Sequence, residues 1–150
     1  MKILGLCIAA LVGALLPLQA LVNARLGQST YGPLFASLAS FCVGSLALLC
    51  CWWLLRPAAI DPATLARVPW WGWSGGLIGA VFVVAATVLV PRLGAAALIC
   101  VVVFGQMLGS LLLDHYGVLH PRQPIDPLRI AGVLLVAVGA LLVVRPWQTA

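Results

Sequence analysis

Residues 95–114 read AAALICVVVFGQMLGSLLLD, a run of nineteen uncharged residues closed by an aspartate. An α-helix rises about 1.5 Å per residue and the hydrocarbon core of a bilayer is about 30 Å thick, so this run has the length and chemistry of a membrane span. Four more runs of the same kind flank it, at about residues 3–22, 34–55, 70–90 and 128–144, with the span first quoted covering about 95–113. The expected fold is an all-α integral membrane protein with five transmembrane helices, a single domain over residues 1–150.

Composition gives the same answer. Of the 150 residues 64% are hydrophobic and 7% charged, against the roughly 25% charged of soluble domains, and the mean hydropathy is +1.18. No water-soluble globule of this length could hide so much apolar surface. The formal charge of +5 does not indicate nucleic acid, because the eight basic residues stand singly, without the stripe that phosphates require. Cys7, Cys42, Cys50, Cys51 and Cys100 lie in or at the ends of apolar runs, with no Cys-x-x-Cys or Cys/His spacing, and read as small packing residues. The start of the chain, through Pro17-Leu18-Gln19-Ala20, also has the outline of a secretory signal. The apolar stretch continues past Ala20 to Val22, however, and cleavage there would leave four spans.

The connections carry recognisable stops and starts. Asp61-Pro62 and Asp126-Pro127 each place an N-cap aspartate before a proline at the first helical position, predicting a short surface helix after Asp61 and the start of the last span after Asp126. Pro91-Arg92-Leu93-Gly94 predicts a tight turn between the third and fourth spans. Of the three carboxylates only Asp114 is then without a structural role. Trp52, Trp53, Trp70, Trp71 and Trp73 gather at one interface and Trp147 at the other, as aromatic belts do.

Five spans put the termini on opposite sides. Lys2, Arg56, Arg67, Arg122 and Arg129 fall on the N-terminal side and Arg25, Arg92 and Arg145 on the other. The positive-inside rule therefore points to a cytoplasmic N-terminus by a narrow margin, compatible with insertion in both orientations.

Polar groups inside spans cannot face hydrocarbon cheaply, so their spacing locates faces turned toward other helices or a wet path. Gln19 and Asn23 share a face of the first span, Ser37, Ser40 and Gly44 one of the second, and Gln106, Ser110 and Asp114, at i, i+4 and i+8, one of the fourth. These side chains can serve a solute path, or simply bond between helices at about 0.6 kcal/mol each. Asp114, beside His115, can equally be a cap or the partner of an arginine. Gly72 and Gly76, Gly75 and Gly79, and Gly105 and Gly109 have the four-residue spacing of close helix packing. Gly105 and Gly109 lie about 100° around the helix from Gln106 and Ser110, so one face can pack while its neighbour lines a path. The sequence has no Glu, no haem or metal motif, no nucleotide-binding loop and no placeable nucleophile/base pair. Neither a cofactor nor an enzymatic role is expected.

The ordered motifs add a resemblance. Gln19-Ala-x-x-Asn23-Ala-Arg-Leu-Gly27, Pro33-x-x-Ala-Ser37-Leu-x-Ser40-Phe41-x-x-Gly44, Gly79-Ala-x-Phe82, Pro91-Arg-Leu-Gly94 and Gly105-Gln106-x-x-x-Ser110-Leu-Leu-Leu-Asp114-His115-x-Gly117 run nearly the whole chain. Together they resemble the short, five-helix YdcZ-like branch of the drug/metabolite transporter (DMT) superfamily. The resemblance implies a bacterial inner-membrane location and half of a ten-helix inverted-repeat transporter, completed by a second copy or a paralogous five-helix chain. An odd number of spans per repeat inverts the second repeat, and inverted repeats place a substrate site near the midplane.

The expected function is secondary transport of a small organic metabolite or drug-like solute by alternating access, as an antiparallel dimer. Gln19, Asn23, Ser37, Ser40, Phe41, Gln106, Ser110 and Asp114 would line its path. The rival is a non-transporting membrane scaffold or assembly subunit. Four-helix multidrug exporters carry a proton on a first-helix Glu that this chain lacks, so equivalent coupling is excluded unless Asp114 substitutes from another helix and depth.

Overall fold

The computed structural model describes residues 2–55 and 60–147; Arg56, counted above in the charge balance, lies outside them. Among the described residues six α-helices follow in order: α1 (Lys2–Ser29), α2 (Pro33–Leu55), the short α3 (Pro62–Ala66), α4 (Ser74–Leu93), α5 (Ala95–Tyr116) and α6 (Pro127–Val144). A 3-10 turn, Trp70–Trp73, leads directly into α4. Five stretches are long and apolar enough to cross a membrane: α1, α2, the 3-10 turn with α4, α5 and α6. The fold is all-helical, and each expected span has its helix.

The boundaries depart from expectation at two informative places. The first span was expected to end near Val22, but α1 runs on to Ser29, about 42 Å in all, because Asn23, Arg25 and Gln28 end the hydropathy without ending the helix. It stops where Ser29 Oγ and Thr30 Oγ1 donate to the carbonyls of Arg25 and Leu26, at 3.0 and 2.6 Å, before Gly32 turns the chain with φ of 100°. The turn expected over residues 91–94 narrows to Gly94, φ 79°, because α4 continues through Pro91 to Leu93.

Both aspartate–proline starts form as read. Asp61 accepts from the N–H groups of Ala63 and Thr64, each at 3.1 Å, and Asp126 accepts from Arg129 N–H at 2.9 Å. The Thr64 hydroxyl, and then the Ala63 N–H, hold the Asp61 carboxyl below the usual carboxylate range. This cap therefore supports α3 at neutral pH and is lost as pH falls through that lowered value.

Two compact units are present, Met1–Pro91 and Arg92–Ala150. In the first, α1 and α2 pack as a hairpin whose buried positions are small, Ala20, Ala24, Gly27, Ala36 and Ser37, except for Asn23. The approach is closest at the turn, where a Cβ on Gly27 would stand 3.2 Å from backbone atoms of Gly32 and Pro33. In the second, α5 packs on α6, and Leu98, Val133 and Ala140 are its buried apolar residues. Large apolar side chains point outward along the spans, Leu48 and Leu135 being 73% and 72% exposed. In water such a surface would be untenable; against lipid tails it costs nothing.

Candidate functional site

The polar residues of the first unit occupy two settings. Asn23, Ser37 and Thr87 are buried, at 4%, 3% and 2% exposure, on α1, α2 and α4. Ser37 Oγ donates to the Pro33 carbonyl at 2.8 Å, and Thr87 Oγ1 to the Val83 carbonyl at 2.8 Å. Ser37 Oγ also lies 3.5 Å from Thr87 Oγ1, within reach of a hydrogen bond between the two helices. Asn23 Nδ2 is buried with no hydrogen-bond partner among the described residues. One helical turn earlier, Gln19 joins Ser40, Phe41, Gly44 and Ser45 around a hollow of about 210 Å³. The Phe41 ring also lies over Gly79 of α4, 3.6 Å from where a Cβ would stand.

In the second unit the stripe of Gln106, Ser110 and Asp114 opens on a groove of about 370 Å³ between α5 and α6, with Val103, Met107, Gly132, Val133 and Arg129 completing its wall. Asp114 closes one end of it. Its Oδ2 accepts from Arg129 Nη1 at 3.3 Å and its Oδ1 lies 3.1 Å from His120 Nε2. Arg129 also donates from Nη2 to Gln123 Oε1 at 2.6 Å, and its Nε lies 3.7 Å from Asp126. The arginine partner allowed for at the sequence level is therefore present, and Asp114 lines the groove at the same time.

The α5–α6 loop holds this end together because α5 stops abruptly. Gly117 takes the left-handed conformation, φ 66°, so that its N–H returns to the Asp114 carbonyl at 3.2 Å and that of Val118 to the Leu113 carbonyl at 3.0 Å. A Cβ there would meet the Arg122 backbone at about 3.1 Å. Gly117→Ala is expected to lower stability by about 1–2 kcal/mol, from the left-handed strain with the contact added. A melting temperature unchanged from the native protein would show that the cap contributes nothing.

The glycine pairs are placed unevenly. Gly79 meets α2 through Phe41, and Gly72 lies in the 3-10 turn against Val68. A Cβ at Gly75, Gly76, Gly105 or Gly109 would meet nothing within 4 Å, which leaves those faces open. Sequence reasoning missed Thr87, Arg129 and His120. Thr87 had no polar neighbour one turn away, and Arg129 was counted only toward orientation. His120 is drawn in by a loop whose path no local spacing reveals.

The comparisons with known proteins fit this geometry. Residues 4–142 match the family described as "Putative inner membrane exporter, YdcZ". The chain belongs to the YdcZ family. It is 33% identical over 147 residues to the inner membrane protein YdcZ of Escherichia coli (strain K12), covering 95% of this chain and 94% of that one. No solved structure matches. Membership in the YdcZ family together with five apolar helices makes this a multi-pass protein of the bacterial inner membrane, in a family of membrane transporters.

Proposed function

We propose that the chain is a secondary exporter of a small organic solute, working by alternating access as an antiparallel pair of five-helix chains. One observation carries the reading. The side chains of Gln106 and Ser110 make no hydrogen bond among the described residues and line an open groove that ends at the Asp114–Arg129 pair. An amide and a hydroxyl left so in hydrocarbon would be costly, whereas a wet solute path or a partner chain satisfies them. In the first unit Gln19, Ser40 and Phe41 line a hollow of their own, and Asn23, Ser37 and Thr87 are buried; these residues are proposed to serve a solute path as well. Family kinship with inner-membrane exporters supports the transport half of the reading.

The test begins with a thermal-shift screen of purified protein against metabolites, since a ligand of the native state raises its apparent stability. With the hit in liposomes, Gln106→Ala and Asn23→Ala are expected to cut transport several-fold with folding intact. Transport equal to the native protein's would remove both residues from the path.

The scaffold alternative draws on the open Gly105/Gly109 face, a surface suited to docking another membrane helix. Native mass separates the two. A complex of two five-helix chains accords with transport, and a single copy held by a larger unrelated protein with a scaffold.

A further inference from the structure

His120 faces two oxygens. Its Nδ1 lies 2.9 Å from the Pro121 carbonyl and its Nε2 lies 3.1 Å from Asp114 Oδ1. A carbonyl oxygen only accepts, and so does an ionised carboxylate. Neutral imidazole has one N–H and one lone pair, so either tautomer leaves a lone pair against an oxygen. The arrangement closes only when one additional proton lies in the pair, on the imidazole or on Asp114 itself. Arg129 Nη1 is bonded to the other carboxylate oxygen, at 3.3 Å.

We propose that Asp114 and His120 form a proton-binding site whose occupancy latches the α5–α6 loop to the end of the groove. The bound proton comes from water on the face that carries the loop, and loss of it returns it there. With the proton present, His120 ties the loop to α5, alongside the Gln123 N–H bond to the Asp114 carbonyl at 2.8 Å and the Arg129–Gln123 contact. With the proton lost, the imidazole keeps one N–H for two oxygens, so its bond to Asp114 competes with that to the Pro121 carbonyl, and the tie between loop and groove weakens.

The other charged and titratable groups at the cluster are Arg129, Asp126, Arg122 and His115. Arg122 bonds the His115 carbonyl at 2.8 Å, and His115 Nδ1 accepts from Ile125 N–H at 3.4 Å. Protonation of His115 would break that last contact, the opposite sense to His120. Of all these groups only the two histidines ordinarily change charge between about pH 5 and 8. The latch gives the proposed solute path a proton dependence, and for that purpose it rests on the transport reading; the proton site itself stands on the geometry alone.

Backbone hydrogen exchange of residues 117–125 in detergent-solubilised protein tests it without any solute, so its failure leaves the transport reading standing. Rates are compared at about pH 5.5 and about pH 8 after correction for the intrinsic chemical rate. The native loop is expected to exchange roughly five-fold faster at the higher pH, as a local opening with its own equilibrium. His120→Gln is expected to show no such difference, and His115→Gln to keep it. Equal corrected rates in the native protein, or a difference that survives in His120→Gln, would overturn the proposal.

Discussion

Gly27→Val is expected to destabilise the protein by about 2–3 kcal/mol, the upper part of the range for overfilling a close contact. The physical reason is what the new side chain meets. Three backbone atoms, Gly32 C, Pro33 N and Pro33 Cα, stand 3.2 Å from the Cβ position, and none can rotate aside as a side-chain tip would. Pro33 has a ring-fixed φ, and Gly32 already sits at φ of 100°, so the turn cannot relax without separating the two helices. Gly5→Ala, on the same helix with nothing within 4 Å, is the control and should be neutral or slightly stabilising. The measurement is the melting temperature of the monodisperse fraction in detergent. Equal values for Gly27→Val and the control would mean that the α1–α2 turn is not a tight packing point.

Arg129→Leu should cost about 1–2 kcal/mol and lower the melting temperature by a few degrees. The guanidinium reaches three acceptors, on Asp114, Gln123 and Asp126, and its loss leaves the Asp114 carboxylate with His120 as its remaining charged or ionisable neighbour among the described ion pairs. The side chains of Arg129 and Asp114 keep 37% and 32% of their surface, so water screens the pair and the larger penalty of a fully buried ion pair does not apply. Adding Asp114→Asn removes the stranded charge and should recover part of the loss. A double-mutant cycle reads this directly. Strictly additive losses would mean that Asp114 and Arg129 do not act as a pair.

The five spanning helices were legible because each is a run of spanning length with at most one charge, and the starts of α3 and α6 because aspartate followed by proline leaves the backbone few other choices. Hydropathy, however, reports where lipid ends and not where a helix ends. That is why hydropathy ends the first span at Val22 although the α1 backbone continues to Ser29, and why Pro91 signals a turn although it falls in the last turn of α4. The groove stripe of Gln106, Ser110 and Asp114 followed from helical period alone, since one helix fixes all three positions. Its partners did not follow. Arg129 reaches Asp114 from another helix fifteen residues on, and His120 reaches it from a loop turned back by Gly117. Thr87 stood alone in an apolar run, with its meeting with Ser37 fifty residues away in the chain.

The α1–α2 hairpin is pinned where Gly27 touches Gly32 and Pro33, while the opposite arm of α1, residues 2–15, is exposed along its whole length. A rod fixed at one tip behaves as a lever. Over the roughly 38 Å from Gly27 back to Lys2, tilting by about 10° sweeps the free tip through almost 7 Å. A displacement hardly measurable at the pivot thus becomes, across the bilayer, as wide as a small molecule.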